Sequence, residues 1–198
     1  MAILSTPLTQ GGIIMKKLTT YLTAVLMAVM ALPVSSARAA DVMDKTAQSP
    51  QFETLSRALR AAGLDATFSG HRQFTLFAPT DTAFAKLPPG TLEELMKPSR
   101  KATLASILRY HVVPRRLSAR ALMRLHSGTN MATLNGDTFA MRKGGGISLD
   151  PFVAERANVV QTGIKVRNGV IHAIDEVLIP PSLAFALARN PAFKNENR

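Results

Sequence analysis

The sequence predicts one domain of mixed secondary structure, with helices in its first half and strands in its second, assembled around a central strand. Three observations carry this. Apolar residues recur at three- and four-residue spacing over most of 52–125, interrupted by a β-prone run at Phe74–Ala78. Beyond Gly128 the helical period gives way to short Val-, Ile- and Thr-containing runs separated by turn residues. The stretch Asn168–Pro180 opens on an Asn-Gly turn, continues as a Val/Ile-rich run and stops at Pro180-Pro181. Its two-residue period places Val170, His172 and Ile174 on one face and Ile171, Ala173 and Asp175 on the other. Both faces are mostly apolar, so this strand is expected to be covered on both sides, with His172 and Asp175 each requiring a partner.

The chain has 198 residues and a formal charge of +11, enough for one substantial core and short for two domains. There is no cysteine, which excludes disulfides, thiol redox chemistry and Cys-ligated metal centres. Met15-Lys16-Lys17, the uncharged run Leu18–Leu32 and Ala37-Arg38-Ala39 have the order of a secretory signal peptide over 15–39. The mature protein is expected to begin near Ala40, and residues 1–14 read as a misassigned upstream extension. Three of the 24 basic residues (Lys16, Lys17 and Arg38) fall within the first forty, so the remainder carries +8. Such a balance favours anionic partners.

Residues 40–50 are small and polar and read as an exposed lead-in. Phe52, Leu55, Leu59 and Ala62 then fall on one helical face, with Gly63 as the C-terminal cap. After Phe74–Ala78, Thr80 or Asp81 is placed to cap a helix through Phe84 and Leu87. A further helix spans Thr91–Met96, ending at Pro98. The next is expected to start at Ser99 and run through Leu104, Ile107, Leu108 and His111 towards Pro114, and Ser118 caps a short helix beyond it. Strands are expected at 131–134, 138–141, 147–149, 158–161 and 164–166, with turns at Asn135-Gly136 and Gly144–Gly146. Residues 182–198 are left as a short helical turn and a polar tail.

Phe-Thr-Leu-Phe-Ala-Pro-Thr-Asp-Thr-Ala-Phe (74–84), Tyr110-His111-Val112-Val113 and Asn-Gly-Val-Ile-His-Ala-Ile-Asp (168–175) occur in that order, with Asn158-Val159-Val160 shortly before the last. In these segments the chain resembles a fasciclin (FAS1) domain over 51–181, of the bacterial single-domain secreted type. The resemblance implies an α+β fold, a β-wedge of two short sheets with helices packed against it. It also implies a secreted, periplasmic or surface-attached protein of adhesion or matrix interaction, with no enzymatic chemistry and no cofactor. Relatives commonly have aspartate before the isoleucine that follows the Asn-Val-Val strand. Here that position is Gly163. The resemblance further implies adhesive contacts at Tyr110 and His111, whereas helical register places His111 beside Ile107 and Leu108 on an apolar face, a structural position.

The residues themselves offer little catalytic chemistry. Strand parity points His172 and Asp175 to opposite faces, which removes a dyad; Asp175 is instead expected to find a partner near the 74–84 segment. His71, His111, His126 and His172 are widely separated, without metal-ligand spacing. No nucleophile elbow or phosphate-binding glycine loop is present. The candidate binding residues are therefore Tyr110, His111, Arg115, Arg116 and Arg120, joined on the wider basic surface by Arg124, Arg142, Lys143, Lys165 and Arg167. Expected partners are a cell-surface or matrix protein, an anionic polysaccharide or an anionic membrane surface. Nucleic acid is not expected, because few aromatics interleave these charges. The competing expectation is a periplasmic carrier holding a small molecule or lipid in a groove between helices and sheet.

Overall fold

The computed structural model describes residues 40–68, 72–152 and 155–188. The expected upstream extension and expected signal peptide, and residues 189–198 of the expected tail, lie outside these residues.

The lead-in is a folded element. Asp41 caps helix α1 (Val42–Ala47) in a reciprocal box with Asp44, and Val42 and Thr46 are buried. Their burial follows from the turn that opens the central strand. The Asn168 carboxamide accepts from the Val42 amide (3.2 Å) and donates to the Phe68 carbonyl, and the Arg167 amide donates to the Ala40 carbonyl (3.0 Å). A sequence pattern has no access to contacts 126 residues apart.

Helix α2 (Glu53–Ala62) buries Leu55, Ala58, Leu59 and Ala62 and ends at Gly63, whose φ of 69° permits the left-handed cap. Its first amides are capped from a distance: Asp81 accepts from Thr54 (2.8 Å) and Glu53 (3.3 Å). Short helix α3 (Asp65–Phe68) and strand β1 (Phe74–Pro79) follow. Thr80, rather than Asp81, caps α4 (Asp81–Ala85), accepting from the Ala83 amide. Beyond α5 (Thr91–Leu95), a 3₁₀ turn at Pro98–Arg100 replaces the expected Ser99 cap and leads into α6 (Lys101–Tyr110).

Helix α6 stops earlier than expected, because Val112 and Val113 form strand β2 against Leu76 and Thr75 of β1. Two β-branched residues gain more as a sheet edge than as a strained helical end before Pro114. After α7 (Ala119–Arg124) come β3 (Thr129–Ala132), β4 (Thr138–Lys143), β5 (Ile147–Asp150), β6 (Ala157–Val166), β7 (Gly169–Ile174) and α8 (Pro181–Ala188). The two strands expected at 158–166 are one, bent by bulges and by Gly163 at φ 79°. The central strand ends at Ile174, six residues before the prolines that were expected to stop it.

The strand order is β2-β1-β7-β6-β5-β4-β3, with β1 and β7 parallel and every other pair antiparallel. Strand β6 divides this ladder: Ala157 and Asn158 pair with β5, and Val159 onward pairs with β7. The two halves of the expected wedge thus share one strand. All six residues of β1 and of β7 are buried. Their alternate faces enter two cores, as the period predicted. Phe74, Leu76, Ala78, Ile171 and Ala173 pack against Leu55, Leu59, Leu104 and Leu108 of the helices. Phe77 and Ile174 pack with Tyr110, Met131, Phe139, Met141 and Leu149 between the halves.

Candidate functional site

Tyr110 and His111 occupy the junction where α6 turns into β2, and both are fully buried. The Tyr110 hydroxyl donates to the Thr138 carbonyl (2.9 Å), and its ring meets Phe139 edge-on at 5.8 Å. Burial raises its phenol above the ordinary value. His111 Nδ1 faces the Ile107 carbonyl at 2.8 Å, so this nitrogen carries the hydrogen; Nε2 accepts from the Leu178 amide (3.0 Å). Desolvation depresses its pKa to about 4. Both side chains were expected at a binding surface; in the fold they are buried and hold α6 to the β3–β4 hairpin and to the segment after β7.

His172 makes a second clip of the same kind. Its Nε2 donates to the Leu117 carbonyl (2.8 Å), and its Nδ1 accepts from the Gly163 amide (3.2 Å). The ring stacks on Phe77 at 5.6 Å, and burial lowers its pKa. Asp175 lies just beyond β7 and accepts from the Asn158 amide (2.6 Å) and carboxamide (2.9 Å). Its carboxylate partner is therefore β6, not the 74–84 segment. The backbone there supplies the link to that segment, since the Thr80 amide donates to the Ile174 carbonyl (3.1 Å).

Arg115, Arg116 and Arg120 are exposed; Arg120 lies on α7, and the loop before it that carries Arg115 and Arg116 is fixed from beneath. Thr75 donates its hydroxyl to the Arg115 carbonyl (2.7 Å) and accepts from the Leu117 amide (2.8 Å), while His172 holds the Leu117 carbonyl. Ser118 caps α7 through the Ala121 amide (3.2 Å), and Arg120 and Arg124 fall on one face of that helix.

Salt bridges sort the wider basic set. Arg142 and Arg156 converge on Asp150 (2.9 and 3.5 Å), and Arg167 meets Asp41 (3.5 Å). The Asp150 carboxyl, although desolvated, is held below the ordinary carboxylate value by the Phe152 amide and Arg142. Lys143 donates to the Met123 carbonyl (2.5 Å). Among the described residues, Arg115, Arg116, Arg120, Arg124 and Lys165 have no acidic partner. Arg116, Arg120 and Lys165 border one surface cleft of about 170 Å³, with Gly163 on its wall. Lys165 was legible only as one basic residue among many, because its approach to the arginine loop depends on the bulge in β6.

The first core packs the helices against the sheet, and a recess of about 370 Å³ is lined by Thr67, Arg72, Gln73, Phe74, Pro114 and Leu134. Among the described residues, no helix is long and apolar enough to cross a membrane, and no group of three His, Asp or Glu residues is placed to hold a metal ion.

The model of the fasciclin domain family matches residues 50–180. Protein sll1483 of Synechocystis is 38% identical over 71% of this chain and 73% of its own length. Immunogenic protein MPB70 of Mycobacterium bovis is 37% identical over 67% of this chain and 65% of its own. Human periostin is 38% identical over 63% of this chain but only 13% of its own length. A solved FAS1 domain pair from the insect cell adhesion molecule fasciclin I superposes with a TM-score of 0.63 at 19% identity, covering 73% of this chain and 52% of the other. Family model, sequence relatives and fold agree over the same stretch of residues, and the chain belongs to the fasciclin domain family.

Proposed function

We propose that this is an exported, non-enzymatic fasciclin domain that mediates adhesion or matrix interaction through its basic face. The observation that carries this reading is a group of exposed cations without acidic partners among the described residues, Arg115 and Arg116 on a loop tied down by hydrogen bonds, Arg120 and Arg124 on α7, and Lys165 on β6. A surface used only for solubility needs no such support, whereas a binding surface gains affinity from cations held in place before the partner arrives. The family supports the class of function, and the solved relative comes from a cell adhesion molecule.

The test is attachment of the purified domain to cell surfaces and to immobilised matrix, with the Arg115→Ala/Arg116→Ala/Arg120→Ala variant alongside. The expected result is binding that weakens as salt shortens the Debye length from about 10 Å at 0.1 M towards 3 Å at 1 M, and that the folded variant lacks. Undiminished attachment by the variant would locate adhesion elsewhere on the domain.

A further inference from the structure

The cleft bordered by the arginine loop and β6 has the construction of a site rather than of a charged surface. Its volume, about 170 Å³, lies well below the roughly 300–1,000 Å³ of pockets that enclose whole small molecules. It suits one anionic group and part of the ring that bears it. Arg116 from the loop, Arg120 from α7 and Lys165 from β6 supply charge from three places in the fold, and among the described residues no acidic one lines the cleft. Among the described residues, their charged ends make one polar contact, a 3.5 Å approach of Arg116 to the Gln73 carboxamide, which leaves donors for a ligand.

The walls are held by one buried side chain. His172 takes the Leu117 carbonyl on the arginine side and the Gly163 amide on the β6 side, fixing the separation of the two walls. Small residues keep the cleft open. Gly163 has φ 79°, and a β-carbon built on it would stand 3.5 Å from the Ala119 methyl. A short side chain at 163 would therefore fit, but it would occupy the cleft that the three cations border.

We propose, on the basis of the adhesive reading above, that this cleft binds a single carboxylate or sulfate group of an acidic polysaccharide, with Arg116, Arg120 and Lys165 as its ligands. Guanidinium groups pair with such oxyanions through two parallel hydrogen bonds. A recess admits a group projecting from a sugar ring, whereas a lipid leaflet is met by a flatter cationic face. Bases would need a stacking platform; the exposed aromatic of the described residues, Phe152, sits on the β5–β6 connection instead. Arg124, one helical turn beyond Arg120, extends the site along the polymer.

The deciding comparison is Gly163→Asp against Gly163→Asn, two side chains of equal shape that both tolerate positive φ. Polygalacturonate and dextran sulfate are the probes, with neutral dextran and phosphatidylglycerol vesicles as further arms. Arg60→Gln, an exposed change on α2, matches the net charge of the aspartate variant. The expected result is a loss of at least about tenfold in polyanion affinity for Gly163→Asp, from the carboxylate set among the cations, with Gly163→Asn and Arg60→Gln within about threefold of the parent. In ¹H–¹⁵N spectra, a galacturonate oligomer should shift the amides of Ala119, Arg120, Gly163 and Lys165. Equal losses in Gly163→Asp and Arg60→Gln would overturn the cleft and leave diffuse charge. Vesicle binding as strong as polysaccharide binding would overturn the choice of partner. Failure to bind either polyanion, with attachment to cells or matrix retained, would overturn this site while the adhesive reading stood; loss of both would overturn both. If Gly163→Asp does not fold, Arg120→Gln/Lys165→Gln against Arg57→Gln/Arg60→Gln makes the same comparison.

Discussion

Acidification should unfold this domain through its histidines before its carboxylates titrate, and His111 sets the size of the effect. The buried imidazole is neutral: it donates through Nδ1 to Ile107 and accepts through Nε2 from Leu178. A second proton would need Nε2, where the Leu178 amide already points. With a folded pKa of about 4 against about 6.5 in the unfolded chain, the unfolded state binds more protons between those values. The sign follows. The His111 contribution is fully present above about pH 6.5 and is lost as pH falls towards about 4. Integration gives about 2 kcal/mol lost between pH 7.5 and pH 5, and about 3 kcal/mol in all. His172, also lowered by burial, acts in the same direction. Asp150 and Glu94, held below their ordinary values, contribute stability that is lost only at lower pH.

Urea unfolding at pH 7.5, 6 and 5 measures this directly. At a slope of about 2 kcal/mol per molar, the His111 contribution alone lowers the midpoint by roughly 1 M between the extremes. In His111→Gln the domain should be weaker at pH 7.5, and its midpoint should vary less with pH. A parent midpoint that stays constant from pH 7.5 to 5 would refute the argument, as would a pH dependence undiminished in His111→Gln/His172→Gln.

Three further perturbations address the frame around the site. Gly169→Ala places a methyl 2.2 Å from the Phe74 carbonyl oxygen, backbone that cannot move aside without parting β1 from β7; a loss of more than about 3 kcal/mol or failure to fold is expected, and a normal urea midpoint would contradict the packing. Tyr110→Phe should cost about 1 kcal/mol through the bond to Thr138 and leave adhesion unchanged; weaker attachment by the folded variant would return Tyr110 to the binding surface. Asp175→Ala removes both bonds to Asn158 and should lower stability by roughly 1–2 kcal/mol. An unaltered melting temperature would show that this link between β6 and β7 is dispensable.

The sequence by itself determined the family, the switch from helices to strands, the central strand with its two buried faces, and the absence of thiol chemistry. These are legible because period, turn dipeptides and residue type act over a few neighbouring positions. It also marked Tyr110, His111 and the arginines after them as one stretch. Only tertiary structure separated them. Tyr110 and His111 turn inward because α6 ends where Val112 and Val113 join β1, while Arg115 and Arg116 stay outside on a loop tied to Thr75 and His172, and Arg120 on the helix that follows it. Helix α1 was missed for a related reason: its burial depends on Asn168, a partner far along the chain. Strand parity correctly parted His172 from Asp175, but it could not show that His172 would grip two backbones at once. The approach of Lys165 to Arg116 and Arg120 likewise depends on how β6 bends against β7. Such distances are set by the packing of whole elements, and no local pattern of residues encodes them.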